Sequence, residues 1–467
     1  MPRARHPVVI IGGGYSGAAV AWHLARMAGA PATIPIVEPR GELGRGLAYG
    51  TADPSHRINV PSIRMSLDPE RGEHFEHWLR ANDRPKGDGA ARLADGSHFP
   101  SRAEFGAYVS AQLAELGPRV IHLRTRAEEV IVEPGGYAVR CTDGRVLHAG
   151  LVVLAVCHTP PTAPSGMAQA LGDHPRFVAD PWAPGALDVL RPDDRVLIVG
   201  TGLTMADIVA SLERMGHRGP LVAVSRRGLR SRGHAVGEAY EPYGDFAAVP
   251  SRTVRELVRE VRATLRRAAA EGRSWHFVFD QLKAQGGAIW RALPVEERRR
   301  LVRHRRPFWD VHRFRIAPQV EAVIDRRLAD GSLELRRASL RGVARGEGDT
   351  IAVTSRERGT FATESFDAVV LATGPAHGRV FADTPLLAAL ERDGLARPDP
   401  IALGIEVDFQ GRVIGAERTP NPDMFVAGPL ARGTFGELMG VPDVTPYAIK
   451  IAQGVLERLA ETRGKHG

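Results

Sequence analysis

The sequence predicts an α/β protein with two parallel sheets, and two glycine-rich turns carry this prediction. The first turn, residues 12–17, follows the apolar run 8–11, and the second, residues 200–202, follows the apolar run 196–199. A helical pattern comes after each turn, so each forms a strand, turn and helix unit. The chain of 467 residues is also longer than a single hydrophobic core supports. We therefore expect two domains, each built around its own sheet.

The first turn has the spacing G-x-G-x-x-G of a dinucleotide-binding turn. Gly12 permits the tight turn, Gly14 lets the backbone approach a pyrophosphate, and Gly17 lets the helix pack on the strand. Glu38 ends the next predicted strand. Its carboxylate can accept hydrogen bonds from both ribose hydroxyls and repels a 2′-phosphate, so this site suits FAD or NAD. The other candidate binding residues here are Tyr15, Ser16 and Arg45.

The second turn predicts a nicotinamide coenzyme site. Gly200 and Gly202 match the pattern, whereas Met205 replaces the third glycine, and Leu203 and Thr204 begin the helix. Where the next strand ends, an acid is expected, but the chain has Ser225, Arg226 and Arg227. Guanidinium groups pair with a 2′-phosphate, which favours NADPH over NADH. In so arginine-rich a chain, solvated arginines are the alternative interpretation.

The remaining strands and helices place the domain boundaries. We expect two Rossmann-like, three-layer dinucleotide-binding domains. Residues 1–190 begin the FAD-binding domain, 191–365 form the NADPH-binding domain with a helical insertion at about 251–315, and 366–467 complete the FAD-binding domain. We expect the closing helix to begin near Pro446 and to direct its positive end at the flavin. The expected cofactor contacts in the completing part are Thr373, Gly374, Gly428 and Pro429.

Three residues outside the turns are candidates for catalysis. Asn59, in a loop after the first ribose site, can hydrogen-bond the flavin edge or merely cap the loop. His312 can move a proton and Arg313 can bind a substrate carboxylate, in a cluster with Asp310 and Arg315. A structural cluster of salt bridges is the alternative. The sequence has no nucleophile-elbow triad and no H-E-x-x-H motif, so we expect neither hydrolysis nor a metal site.

The composition argues against several classes of protein, including membrane proteins, nucleic-acid-binding proteins and dithiol reductases. The chain is 43% hydrophobic and 25% charged, with no apolar run long enough to span a bilayer. Its net charge of +8 comes almost wholly from arginine, and without an aromatic-interleaved basic module we expect no nucleic-acid partner. Cys141 and Cys157 lack C-x-x-C spacing, which argues against a dithiol reductase. The early first strand leaves no room for a secretory signal, so we expect a cytoplasmic protein with no membrane partner.

Several longer motifs resemble a known family. They include G-R-G-L-A-Y-G-T at 44–51, I-N-V-P at 58–61, R-P-F-W-D-V-H-R at 306–313 and G-P-L-x-R-G-T at 428–434. Together they are similar to the bacterial FAD/NAD(P)-binding protein family, which consists of two-dinucleotide flavoproteins. The D-x-x-x-L-A-T-G spacing at 367–374 also resembles flavin-dependent amino-acid N-monooxygenases. This resemblance implies FAD, NADPH and O2 as reactants.

We therefore expect an FAD-dependent NADPH oxidoreductase, specifically a monooxygenase. NADPH would reduce the flavin, and O2 would then oxidise a small polar substrate, such as the amine of an amino acid. Two alternatives stay open: a reductase that passes electrons to a quinone or protein acceptor, and a nucleotide-sensing flavoprotein without turnover. The sequence leaves the oligomeric state open, a homo-oligomer included.

Overall fold

The computed structural model describes residues 5–156, 159, 161–235, 241–374 and 377–464. In these ranges the strands are β1 (Arg5–Ile11), β2 (Ile34–Val37), β3 (Val120–Leu123), β4 (Ala127–Glu133), β5 (Gly136–Cys141), β6 (Val146–Leu154), β7 (Phe177–Val178), β8 (Val196–Val199), β9 (Leu221–Ser225), β10 (Leu333–Arg337), β11 (Ser339–Arg345), β12 (Ile351–Glu357), β13 (Thr360–Phe366), β14 (Ala368–Leu371), β15 (Arg412–Ile414) and β16 (Pro420–Val426).

The helices of the same ranges alternate with these strands, except for a helical run in the second half. They are α1 (Tyr15–Arg26), α2 (His74–Ala81), α3 (Arg102–Ala114), α4 (Met167–Leu171), α5 (Leu203–Arg214), α6 (Val254–Ala270), α7 (Trp275–Ala284), α8 (Gly286–Ala292), α9 (Val295–His304), α10 (Arg306–Arg313), α11 (Pro318–Ala329), α12 (Val380–Asp383), α13 (Pro385–Arg392), α14 (Arg432–Phe435) and α15 (Val441–Gly464). The segment predicted as a helical insertion, 251–315, contains α6–α10.

The first sheet has the strand order β15-β16-β6-β1-β2-β3, with the β4–β5 hairpin attached through β5 to β6. The pairs of β1 with β2 and with β6 are parallel, and so is the pair of β6 with β16. Residues 8–11 of β1 are fully buried because the sheet is covered on both faces. Helices α1 and α15 pack against each other beside it through small and aliphatic side chains such as Ala18, Ala448 and Ile451.

The second sheet has the strand order β10-β9-β8-β14-β7, and all its pairs are parallel. This order corrects the predicted domain boundary at 366, since β14 lies in the second sheet between β8 and β7 rather than in the first. β7 (Phe177–Val178) also belongs here, although the predicted boundary at 190 assigned it to the first domain. The reason is that both short strands bury their faces in the core of the second sheet, a long-range pairing without a local sequence signal.

A third sheet, the antiparallel meander β11-β12-β13, packs one face on the second sheet. In the described part of the chain, no helix has the length and apolar character that crossing a membrane requires. Nor do those residues contain a group of three or more His, Cys, Asp or Glu side chains arranged to hold a metal ion.

Candidate functional site

The first glycine turn connects β1 to α1 at the carboxyl edge of the first sheet. Gly12 has φ +106°, and a Cβ there would lie 2.5 Å from the carbonyl oxygen of Ala155, at the end of the neighbouring strand. A Cβ on Gly17 would overlap the carbonyl oxygen of Gly12. Both positions therefore require glycine, and the chain keeps the helix amino end, with its unpaired N–H groups, close to the sheet edge.

The carboxylate of Glu38 is held against this turn. Its Oε2 accepts a hydrogen bond from the Gly13 amide at 2.9 Å, and its Oε1 accepts one from the Arg40 amide at 3.0 Å. The Arg40 guanidinium adds an ion pair at 3.2 Å. Glu38 is only 3% exposed, so its position is fixed before any ligand arrives. A ribose placed over the turn would meet a preorganised acceptor.

A cavity of about 470 Å³ opens over the first turn. Of the sequence-predicted residues, it is lined by Gly12, Gly14, Tyr15, Ser16, Glu38, Arg45 and Pro429. Gly428 lies directly behind it, packed on the Ser16 side chain. The sequence reasoning missed other lining residues, which are Arg40, Arg126, Glu128, Asp383, Thr384, Met439, Gly440 and Val441. These reach the cavity from four separate segments and share no motif that would have revealed them.

The closing helix begins earlier than predicted. α15 begins at Val441, which lines the cavity, and Pro446 lies inside the helix instead of at its first position. Two prolines stand near this end, and Pro442 is the one that occupies the first turn, where a missing N–H costs nothing. The side chain of Thr445 donates to the Val441 carbonyl oxygen at 2.8 Å, and its Oγ1 lies 2.5 Å from the Tyr15 hydroxyl. The start of α15 is thereby joined to α1 at the cavity wall.

Asn59 is not among the residues that line this cavity. Its backbone carbonyl oxygen accepts a hydrogen bond from His234 Nε2 at 3.0 Å, and this contact connects the loop to the second domain. Burial lowers the pKa of His234 to about 4, so the imidazole is neutral near pH 7. A contact between the Asn59 amide and a flavin therefore stays a prediction.

The loop that follows Asn59 is fixed by a buried carboxylate. Glu76 Oε1 accepts hydrogen bonds from His98 Nδ1 at 2.8 Å and from the Ser62 hydroxyl, while Arg92 lies 3.3 Å from Oε2. Burial alone would raise the pKa of Glu76, but the hydrogen bonds from His98 and Ser62 outweigh it and lower the pKa from 4.5 to about 2. The ionised form of Glu76 is therefore the one that stabilises this loop.

We expect Glu76→Gln to lower the melting temperature at neutral pH, by an amount equivalent to roughly 3 kcal/mol. Because the folded-state pKa is depressed, this contribution is complete above about pH 4.5 and is lost as the pH falls towards 2. Thermal unfolding of both proteins between pH 7 and pH 2.5, roughly the span of this titration, measures the difference. The exposed Glu70→Gln serves as the matched control. A deficit that stays constant across this range would contradict the assignment.

The second glycine turn lies where β8 meets β14. Gly200 has φ +126°, and a Cβ there would overlap the carbonyl oxygen of Ala372, the residue after β14. Gly202 caps α5, which begins with Leu203 and Thr204. The structure thus brings this turn together with Thr373 and Gly374, which follow Ala372. Neither residue lines the cavity over the first turn, and a cofactor contact by Thr373 or Gly374 stays a prediction.

Ser225, the last residue of β9, and the two arginines after it differ in their surroundings. The Ser225 hydroxyl oxygen accepts a hydrogen bond from the Gly228 amide at 3.0 Å and therefore serves the turn itself. Arg226 is exposed. The Arg227 guanidinium lies 4.9 Å above the Phe308 ring of α10. The sheet edge thus presents two arginines beside the second turn, one of them stacked on the helical insertion.

We expect the double variant Arg226→Ser/Arg227→Ser to raise KM for NADPH by about 10- to 100-fold, because charge-assisted hydrogen bonds to a 2′-phosphate would be lost. KM for NADH, which lacks that phosphate, should change little. Initial rates with both coenzymes measure the effect, and Arg255→Ser/Arg259→Ser on the exposed face of α6 is the control. An equal loss with both coenzymes would show that the arginines do not read the phosphate.

The structure separates the polar cluster predicted around residue 312. His312 Nδ1 donates to the Phe308 carbonyl oxygen at 2.6 Å, and its ring stacks on Phe279 with centroids 4.4 Å apart. Burial lowers the pKa of His312. Arg313 instead forms an ion pair with Asp443 at 2.9 Å. The side chains of His312 and Arg313 therefore do not converge on one point, because neighbours on a short helix face different directions.

The two other members of that cluster have separate partners. Arg315 forms an ion pair with Asp280 at 2.8 Å, and Asp310 lies 3.3 Å from Arg306. Asp310 and His312 do share one surface: both line a second cavity, of about 400 Å³, enclosed mainly by α6–α10. Met439 lines this cavity and also the one over the first glycine turn. The two cavities are therefore neighbours.

Comparison with known proteins agrees with this geometry. Residues 9–159 match the FAD-NAD(P)-binding family, and this range includes β1, the first turn and Glu38. The matched range contains the part of the cavity wall that the first half of the chain forms. No curated protein matches the chain.

Solved structures share the fold over nearly the full length. The ornithine N-hydroxylase of Kutzneria sp. 744 is 17% identical, with a TM-score of 0.65 over 97% of this chain and 100% of that one. The L-lysine 6-monooxygenase of Pseudomonas syringae is 18% identical, with a TM-score of 0.64 over 98% and 99%. The thioredoxin reductase of Lactococcus lactis is 12% identical, with a TM-score of 0.54 over 98% and 100%. The chain therefore shares its fold with these proteins over nearly its full length.

Proposed function

We propose that this protein is an NADPH-dependent FAD monooxygenase. One observation carries the proposal: the chain has two glycine turns on separate sheets, and the two cavities are neighbours. The second cavity is large enough for a small substrate and shares the wall residue Met439 with the cavity over the first turn. Two of the proteins that share the fold are named as an ornithine N-hydroxylase and a lysine 6-monooxygenase. An amine is accordingly the substrate group that we propose.

The residues over the first turn fit FAD. Glu38, already held by the Gly13 amide, would accept the ribose hydroxyls, and the amino end of α1 would face the pyrophosphate. Tyr15, Ser16, Arg45 and Pro429 would form the walls around the rest of the molecule. When bound, FAD supplies the redox chemistry: it takes two electrons from NADPH and activates O2.

The chain's own residues bind, orient and exclude water. Arg226 and Arg227 would hold the 2′-phosphate of NADPH, and the amino end of α5, capped by Gly202, would face its pyrophosphate. The hydrogen bond between Tyr15 and Thr445 holds α1 against α15, so that the cavity keeps its shape. Helices α6–α10 enclose the second cavity with apolar side chains and thereby keep water from the reacting atoms.

The proposed reaction balances as substrate, O2, NADPH and a proton giving hydroxylated substrate, water and NADP⁺. The test is an oxygen-electrode assay of the purified holoenzyme with candidate amines, combined with mass spectrometry after reaction under isotopically labelled O2. We expect substrate-dependent O2 consumption and one labelled oxygen atom in the product. NADPH oxidation that continues without oxygen when a quinone is supplied, and yields no labelled product, would instead identify a reductase.

The other alternative, a nucleotide-sensing flavoprotein without turnover, can be recognised with the same purified protein. Such a protein would bind FAD and NADPH, yet in a rapid-mixing experiment the absorbance of the oxidised flavin would not change when NADPH is added.

A dithiol reductase is disfavoured, although the thioredoxin reductase shares the fold. Cys141 is buried, Cys157 lies outside the described residues, and their separation in sequence lacks the C-x-x-C arrangement.

A further inference from the structure

The second cavity has walls that differ in kind from those of the first. Its surface is formed by aliphatic and aromatic side chains from several helices, including Leu257, Val258, Ile289, Trp290, Leu301 and Trp309. Its volume of about 400 Å³ lies in the range of small-molecule sites. Charged side chains, Arg306, Arg432, Asp310 and Glu437 among them, interrupt this mainly apolar wall. The apolar part stabilises an apolar body.

The cavity has two distinguishable ends. Met439, which also lines the cavity over the first turn, marks the inner end. Arg262 and Arg305 are exposed members of the lining and mark the mouth. A molecule entering past these arginines would therefore place its leading group next to the flavin side.

A carboxylate at the inner end lacks part of its hydrogen bonding. Glu437 lines the cavity two residues before Met439, and its Oε1 accepts a hydrogen bond from Trp309 Nε1 at 2.7 Å. Its Oε2 is buried and has no hydrogen-bond partner among the described residues, with the Arg313 Nε 3.6 Å away. The Arg313 Nε forms an ion pair with this oxygen at a distance too long for a hydrogen bond. The oxygen can therefore still accept a hydrogen bond from a donor that a ligand supplies.

A second carboxylate, that of Asp310, is also part of the cavity wall. Asp310 lines the cavity and lies 3.3 Å from the Arg306 Nε. Burial raises the pKa of Asp310 to about 6 and also raises the pKa of Glu437. Arg306 and Arg432 act on Asp310, and Arg313 and Lys283 act on Glu437, yet burial outweighs these cations. An ammonium group at the inner end would add to them in favouring the charged carboxylates.

We infer that this cavity binds the substrate, and that the substrate is a primary amine carried on an apolar body, with its nitrogen at Glu437. This inference rests on the proposed function and replaces the small polar substrate expected from the sequence with an amphiphilic one. For the ammonium form, the reaction R–NH₃⁺ + O2 + NADPH gives R–NHOH + H2O + NADP⁺ without an added proton. Glu437 is a binding group for the amine in this scheme.

The test measures binding by isothermal titration calorimetry of the FAD-loaded protein with butylamine, hexylamine and octylamine. Each added methylene should lower Kd about fourfold while it is buried in the cavity. Octanol, which keeps the chain but lacks the charge, should bind about tenfold more weakly than octylamine. Kd values that do not depend on chain length, or octanol binding as well as octylamine, would overturn the inference.

Two variants locate the site. Val258→Trp fills the cavity and should abolish the dependence on chain length, whereas Val249→Trp makes the same change at a side chain that is 85% exposed and should not. Glu437→Gln should weaken octylamine about tenfold and leave octanol unchanged. Unaltered octylamine binding by a folded, FAD-loaded Glu437→Gln protein would also overturn the assignment.

These binding measurements involve no turnover, so they are separable from the test of the proposed function. If the amines bind as expected but no hydroxylamine forms, the monooxygenase proposal fails and the cavity assignment stands. If labelled product forms from other amines while the Kd of the alkylamines does not depend on their chain length, the cavity assignment fails and the monooxygenase proposal stands.

Discussion

Gly17→Ala is expected to yield protein without bound FAD. The added Cβ would overlap the carbonyl oxygen of Gly12, which is backbone, so no side chain can rotate away to make room. Either α1 moves off the sheet or the turn opens, and both changes displace the amides that face the pyrophosphate. Overpacking of this kind costs roughly 1–3 kcal/mol or more, in addition to the lost ligand binding. The ratio of FAD to protein and the melting temperature measure the effect.

The matched control is Gly287→Ala, which makes the same substitution in the first turn of another helix. Gly287 is exposed, and a Cβ there would meet no atom within 4 Å. We expect this variant to keep its FAD and to be equally or slightly more stable, since alanine is favoured over glycine in helices by up to about 1 kcal/mol. Full FAD occupancy in Gly17→Ala would show that the first turn is not the flavin site.

Gly200→Ala should separate the two coenzyme sites. Its φ of +126° strains any other residue, and the Cβ would overlap the carbonyl oxygen of Ala372. We expect FAD to remain bound, because this turn lies in the other sheet, while the rate of flavin reduction by NADPH falls roughly a hundredfold through misplacement of the coenzyme. Rapid-mixing absorbance without oxygen measures that rate.

Chemical reduction provides the control for this variant. Dithionite reduces flavin without a nicotinamide site, so Gly200→Ala and the unaltered protein should respond to it equally. Loss of both FAD and dithionite response would point to general misfolding, which circular dichroism detects independently. A Gly200→Ala protein that NADPH reduces at the unaltered rate would place the nicotinamide coenzyme elsewhere.

Sequence reasoning succeeded where the determining contacts are local. The first turn, α1 and Glu38 lie within about 30 residues, and the strand-turn-helix pattern with a carboxylate after the next strand specifies their arrangement. The run 367–374 shows the limit. It contains the buried strand β14 and the turn after it, but the sheet to which β14 belongs depends on pairing with β8, about 170 residues earlier in the chain.

The inner wall of the second cavity could not be predicted from the sequence, for the same physical reason. Glu437 and Met439 lie in an ordinary loop between α14 and α15, and they gain their significance only through contact with Trp309 and the helices around it. His312 and Arg313 show the opposite case: adjacent in sequence, they point to different partners in the fold. Proximity along a helix does not bring side chains to one point.

The order of the strands also has a mechanical consequence. β1–β6 and β15–β16 form one sheet while β7–β14 form the other two, so the polypeptide passes between the units twice. One passage leaves β6 through Ala155, whose carbonyl oxygen abuts Gly12, and the other leaves β14 through Ala372, whose carbonyl oxygen abuts Gly200. Both crossings between the sheets therefore start beside a glycine turn, so a change at either crossing would be transmitted first to the turn next to it.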